Sequence, residues 1–292
     1  MTDSALPDGV ALDESGGSAR LRIATPAVAG EISLNGATVT SWRPTGQSAD
    51  VLFVSPHTSF SPGKAIRGGI PLCGPWFGPG RKGDRTPAHG FLRTSQWRVA
   101  DVTREQDDVR VILRLTSGEY AAAPGGAAYD QDAVFTLSVT MGSALDVVLA
   151  VDAGTSALDV EWALHSYLRV GDVREVRLSG LDGADYVDKV AEGVRTRQDG
   201  PVALVEETDR VYARATPVSL HDPGLGRTVL ATGVGNTQTV VWNPFGDKAA
   251  GMADLGDAWP HFVCVESARV LDDHLTVAAG TRAEIGQRLS VE

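Results

Sequence analysis

The stretch VEWALHSYLRV, residues 160–170, decides how the rest of the chain is read. Period two sets Val160, Trp162, Leu164, Ser166, Leu168 and Val170 on one face and Glu161, Ala163, His165, Tyr167 and Arg169 on the other. The first face reads as core and the second as a row of polar reach, so the stretch predicts one β-strand with a histidine in its middle. The same alternation continues outward in RLRIAT (20–25), GEISLNGATVTSWRP (30–44), VRVILRLTS (109–117), AVFTLSVTM (133–141), ALDVVLAVDAG (144–154), TVVWNPF (239–245) and RAEIGQRLSVE (282–292). Sustained helical periodicity is hard to find, which predicts an all-β protein built as a sandwich or barrel. REQDD (104–108) and MGSA (141–144) read as hairpin turns between β-branched runs. AAGMADLGD (249–257) is the best candidate for a short helix, and YAAAPGGAAYDQ (120–131) reads as a long surface loop.

No Pro, Ser or Gly linker divides the chain, so residues 19–292 are expected to form one domain behind a flexible lead-in, residues 1–18. That lead-in has neither a basic start nor an apolar run, and no later stretch approaches the roughly 18 apolar residues of a membrane helix. A cytoplasmic monomer is the expectation. Apolar residues make up 42% and charged residues 22% of the 292, the composition of an ordinary globular protein. The net charge of −11 argues against nucleic acid as a partner, because phosphate backbones are gripped by Lys and Arg. It leaves room for a small anion in a locally positive pocket. Two cysteines, Cys73 and Cys264, are too few for a disulfide framework or a thiolate zinc site and read as reduced and buried.

Four segments break the strand pattern. RGGIPLCGPWFG (67–78) has glycines and prolines that fix an irregular backbone, and Gly68-Gly69 leaves room for a ligand or another chain to approach. PAHGFLRTSQW (87–97) places His89 and Arg93 just before a strand, where loops on a rigid scaffold carry binding residues. The third is the strand of His165; a lone strand histidine is more often structural than catalytic. The fourth, HFVCVESA (261–268), ends an apolar strand in Glu266, and an ionised carboxylate is expensive to bury without a partner. A salt bridge to an arginine would satisfy it. So would a role beside His165 as a general acid and base pair whose environments push their pKa values apart.

The ordered set RGGIPLCGPWFG, AHGFLR, LHSYLRV, GLDGADYVDK, EETDRVY, VVWNPF and FVCVESA resembles the hexose-6-phosphate mutarotase branch of the aldose 1-epimerase family, the glucose-6-phosphate 1-epimerases. The resemblance runs from about Gly30 to the C-terminus. It implies a large antiparallel β-sandwich of the galactose mutarotase type with few short helices, acting as an isomerase. His165 then matches the family's general acid and Glu266 its general base. Asp209, in EETDRVY, matches a carboxylate that hydrogen-bonds the substrate. Arg67, His89 and Arg93 match positions that hold the sugar and its phosphate. Gly74 stands where the branch often has a bulkier residue and Leu92 where alanine is usual, so both are expected to reshape the pocket.

Mutarotation opens a cyclic hemiacetal and recloses it on the other face of the aldehyde, moving one proton off the anomeric hydroxyl and one onto the ring oxygen. Side chains with tuned pKa values can do both, so no cofactor and no metal is expected. Rigid strands are expected to hold acid and base on opposite sides of the sugar ring. Arg67 and Arg93 suit a phosphate as planar, permanently charged forks, His89 suits an orienting donor, and Tyr167 a pocket wall. Trp76, Phe91 and Trp242 read equally as core or as sugar-stacking surface. The alternatives are an epimerase of unphosphorylated aldoses, a non-catalytic carbohydrate-phosphate binding module, and a β-sandwich hydrolase or lyase.

Overall fold

The computed structural model describes residues 6–127, 129 and 132–292. In strand Asp108–Thr116 the side chains of Val109, Val111, Leu113 and Leu115 are buried while Arg110 and Arg114 are exposed. A strand with one apolar face requires a second layer to cover it. It belongs to an antiparallel sheet of eight strands, in the order Arg177–Ser179, Val218–Asp222, Arg227–Val234, Arg282–Val291, Leu145–Ala153, Ala133–Met141, Asp108–Thr116 and Arg98–Glu105. The covering sheet runs Val194–Arg197, Asp185–Asp188, Thr208–Tyr212, Gln238–Asn243, Phe262–Arg269, Trp162–Leu164 and Leu72–Cys73, with Tyr167–Arg169 also paired to Phe262–Arg269. Side chains of both sheets meet in one continuous apolar core. Buried Gln287 stitches them: its Oε1 accepts the Ser166 hydroxyl and its Nε2 donates to the Val265 carbonyl at 2.9 Å. A buried amide is tolerated because both its ends are satisfied.

The antiparallel sandwich and both expected hairpins are present, the first turning at Gln106 with φ +57°. Other expectations change. Val10–Asp13, within the expected lead-in, pairs antiparallel with Arg20–Ala24 and begins a four-stranded meander. Asp13 holds it there through Arg20 at 3.5 Å and Arg22 at 2.7 Å. Residues 1–5 of the lead-in lie outside the described residues. The helix lies earlier than 249–257, at Phe245–Ala250, and a 3-10 turn follows at Gly256–His261. Gly251 caps the first, and Gly256, at φ +57°, prevents a helix from crossing between them. Tyr120, placed in a surface loop by the sequence, ends the short helix Ser117–Tyr120 and is buried, its ring stacked on Phe91 at 4.9 Å. Residues 128, 130 and 131 of that loop lie outside the described residues. Cys73 and Cys264 are free and buried.

The stretch 160–170 is three short strands rather than one. Leu158–Val160 pairs with Leu275–Val277, and the other two pieces flank His165 and Ser166. Glu161 stands between the first two pieces: its backbone N–H donates to the Pro75 carbonyl at 3.0 Å, and its carboxylate accepts backbone N–H groups from Leu271 at 2.9 Å and Phe77 at 3.4 Å. Among the described residues no helix is long and apolar enough to cross a membrane.

Candidate active site

Strand Phe262–Arg269 is buried on both faces. Val263 and Val265 enter the core between the sheets, while Phe262, Cys264 and Ala268 alternate onto the outer face, where two smaller apolar clusters lie. Glu266 shares that outer face. Pairing extends it sideways into two rows. Asp209 stands opposite Trp242, Trp242 opposite Cys264, and Cys264 opposite Tyr167. Two residues along, Val211 stands opposite Val240, and Val240 opposite Glu266. Leu164 faces Ser267 and Tyr167 faces Cys264, so the unchanged register sets His165 across from Glu266.

The outcome is direct contact. Nε2 of His165 lies 3.5 Å from Oε1 of Glu266, with the two residues 7% and 1% exposed. Acid and base candidates are therefore neighbours on one face rather than groups on opposite sides of a sugar ring. Burial dominates the titration of both. It pushes His165 well below the usual imidazole range, aided by His89, Arg93 and Arg67. It pushes Glu266 well above the usual carboxylate range, Asp209 adding to the shift while Lys189 and Arg93 oppose it. Each shift favours the neutral form of its group. The second oxygen, Oε2, is buried with no partner among the described residues.

Loops from the neighbouring strand end build the walls. His89 sits at φ +66°, an unfavourable backbone region for a non-glycine residue, pinned by its N–H to the Gly78 carbonyl at 2.7 Å and its carbonyl to the Gly74 N–H at 3.0 Å. Its ring packs edge-on against Phe77 at 4.7 Å and stands 6.2 Å from the His165 ring. Burial, then the charges of Arg93, Lys189 and Arg67, push its pKa down to about 3, leaving a neutral ring. The His165 ring stacks on Tyr167 at 4.8 Å and meets the edge of Trp242 at 5.6 Å. Of the three undecided aromatics, Trp242 is thus part of the site. Phe91 is fully buried in the core, and Trp76 packs on Phe91 and Tyr129, away from the pair.

The two arginines differ. Arg67 is already matched: Nε and Nη2 hold Asp254 at 3.1 and 3.0 Å, and Nη1 donates to the Tyr167 hydroxyl at 3.1 Å. Although burial disfavours its charge, Tyr167 and Asp254 hold that charge more firmly than usual. Arg93 donates from Nη2 to the Ala88 carbonyl at 2.9 Å, but its buried Nε has no partner and no carboxylate pairs with it among the described residues. Sequence reasoning missed Asp254 and also Lys189, whose Nζ lies 2.9 Å from Oδ2 of Asp209 and 5.3 Å from the Phe77 ring centre. Its signal was its place at the end of GLDGADYVDK, one of the motifs that carry the resemblance. The Gly68-Gly69 pair serves the protein's own backbone: a Cβ on Gly69 would stand 2.2 Å from the Val39 carbonyl oxygen. Among the described residues no cluster of three or more His, Cys, Asp or Glu is placed to hold a metal.

The family described as Aldose 1-epimerase matches residues 20–290. A Salmonella typhimurium protein provisionally named a glucose-6-phosphate 1-epimerase is 34% identical over 247 residues, covering 83% of this chain and 80% of its own length. An Escherichia coli K12 protein with the same provisional name is 34% identical over 248 residues, with the same coverage. The crystal structure of a Salmonella typhimurium protein provisionally named a mutarotase superposes with a TM-score of 0.89 at 28% identity, over 99% of this chain and 95% of that one. Strands, rows and the His165–Glu266 contact all fall inside the matched region, and the chain belongs to the aldose 1-epimerase family, whose members are isomerases.

Proposed function

We propose that this epimerase interconverts the α and β anomers of an aldohexose 6-phosphate, with glucose 6-phosphate as substrate, through His165 and Glu266. The observation that carries the reading is the buried His165–Glu266 contact, beside which Arg93 stands as a cation without a carboxylate partner. The names borne by the Salmonella and Escherichia relatives support the same substrate.

The hemiacetal's two oxygens are bonded to one carbon, so an acid and a base lying side by side can reach both. With its proton passed to His165, the pair is a carboxylate and an imidazolium. Glu266 takes the proton of the anomeric hydroxyl as His165 gives one to the ring oxygen, and the C1–ring oxygen bond breaks to leave an aldehyde. The pair is then protonated Glu266 and neutral His165, the form that burial favours. After rotation about the C1–C2 bond, the sugar hydroxyl attacks C1, giving its proton to His165 while Glu266 protonates the carbonyl oxygen, and the opposite anomer closes. No group is consumed.

Around that centre, Trp242 and Tyr167 offer apolar wall to the sugar face, neutral His89 and Asp209 offer hydrogen bonds, and Arg93 takes the phosphate. A fixed cation with an unspent N–H is suited to an anion, whereas a neutral sugar needs only hydrogen bonds. Magnetisation transfer between the anomers of glucose 6-phosphate tests the reading: catalytic amounts of protein accelerate exchange of the phosphorylated sugar much more than that of free glucose. Equal acceleration of the two would favour the free-aldose epimerase, which the prior engagement of Arg67 by Asp254 already lends some weight.

A further inference from the structure

The loop of residues 75–80 has two sides. Phe77 and Gly78 face His89. Another stretch of the loop lines a separate cavity of about 200 Å³, into which Trp76, Arg81, Lys82, Arg85, Tyr129 and His274 also face. Its hydrogen-bonding capacity is lopsided. Nη1 of Arg81 lies 2.8 Å from Nε2 of His274. A guanidinium can only donate, so Nε2 accepts and the neutral ring carries its proton on Nδ1. That Nδ1–H is buried with no partner among the described residues, and so is the hydroxyl of Tyr129.

The acceptors are largely spent. Glu161 receives two backbone N–H groups, and Asp159 receives the Thr276 hydroxyl at 2.6 Å and faces Arg81 at 3.8 Å. Asp84 is the exposed remainder. Against it stand Lys82 and Arg85, likewise exposed and neither in an ion pair among the described residues, with the Arg85 guanidinium lying over the Trp76 ring at 5.6 Å. Leaving buried donors unmet is costly, and unpaired cations favour charged acceptors. A ligand that answers both must be made of acceptors and carry negative charge.

We propose that this cavity binds an oxyanion of the phosphate class, either inorganic phosphate or the phosphate group of a sugar phosphate, as a second site separate from the His165–Glu266 pocket. Calorimetric titration with inorganic phosphate tests it on the full chain. Wild-type protein is expected to bind two phosphates, and Arg93→Ala to keep one. The Lys82→Ala/Arg85→Ala variant weakens that remaining site by roughly 10-fold or more, and Tyr129→Phe, which removes only a hydroxyl, by roughly 3- to 10-fold. Repeating the titration with glucose 6-phosphate on Arg93→Ala separates the two sources: equal affinity means the phosphate group alone is read, and tighter binding means the sugar is read as well. A single phosphate per chain that vanishes with Arg93→Ala overturns the proposal. So does a second phosphate whose affinity ignores both the Lys82/Arg85 and the Tyr129 substitutions.

Discussion

Glu266 and His165 are cross-strand neighbours whose Oε1 and Nε2 lie 3.5 Å apart in a site dry enough that burial disfavours the charge of each. Stability should register that dryness. The folded-state pKa of Glu266 is raised above its ordinary 4.5, so the stability tied to its protonated form is complete below 4.5 and is lost as pH rises through the folded value. Glutamine cannot ionise. The Tm of Glu266→Gln minus that of wild type should therefore be smallest at or below pH 4.5 and grow as the pH rises above it, each kcal/mol appearing as about 2 °C in a chain of this size. A difference that stays flat or shrinks contradicts the raised pKa.

Lys189 and Asp209 tune the same carboxyl in opposite senses. Asp209 raises the Glu266 pKa and Lys189 lowers it, while the two pair with each other at 2.9 Å. The alkaline limb of kcat/KM reports loss of the pair's proton. Asp209→Asn should move that limb to lower pH and Lys189→Met to higher pH. Position is the readout here, since the height of the profile also changes if either side chain touches the sugar. Movement of both limbs in one direction would rule out this electrostatic arrangement.

Arg93 and Arg67 should fail differently. Arg93→Ala removes a charge-assisted contact and should weaken the phosphorylated sugar by roughly 10- to 150-fold, with free glucose little affected. Arg67→Ala strips Asp254 and the Tyr167 hydroxyl of their partner, costing about 1 to 3 kcal/mol of stability and affecting both sugars alike. Thermal melts beside exchange rates on the two sugars check the pair. The opposite assignment of effects would transfer the phosphate to Arg67.

What could be read in advance follows from the range of each interaction. His165 and Glu266 stood out because polar groups in apolar strands are locally anomalous, and alternation along Val109, Val111, Leu113 and Leu115 identified a sheet face from neighbours in the chain alone. That the two could pair was legible, but not that they touch directly, because only the pairing register sets residues 165 and 266 opposite each other. Arg67 looked free because Asp254 lies 187 residues away. Lys189 closed the motif GLDGADYVDK with no role assigned to it until the fold placed it against Phe77 and Asp209. Glu161 shared the periodicity of His165, yet its carboxylate went to backbone N–H groups, which no side-chain pattern announces.

Gly74 and Leu92, which depart from the branch in opposite senses of size, lie against each other. A Cβ on Gly74 would stand 2.8 Å from Cδ1 of Leu92, a fully buried side chain of the core. Gly74→Ala alone should cost about 1 to 3 kcal/mol from overpacking. Leu92→Ala alone should cost about 2 to 5 kcal/mol from the cavity it leaves. The double variant should cost less than the two together by about 1 kcal/mol or more, measured by denaturant unfolding. Strict additivity would show that the two positions do not share space.

The central claim is that His165 and Glu266 move the protons of anomer exchange. Its most direct test is the magnetisation-transfer rate between the α and β anomers of glucose 6-phosphate, measured with wild type, His165→Asn and Glu266→Gln at equal concentration, each shown to be folded by circular dichroism. The account predicts fast exchange with wild type and a loss of roughly 10²- to 10⁴-fold in each variant, the range for removing a general acid or base. Near wild-type exchange in either folded variant would contradict it.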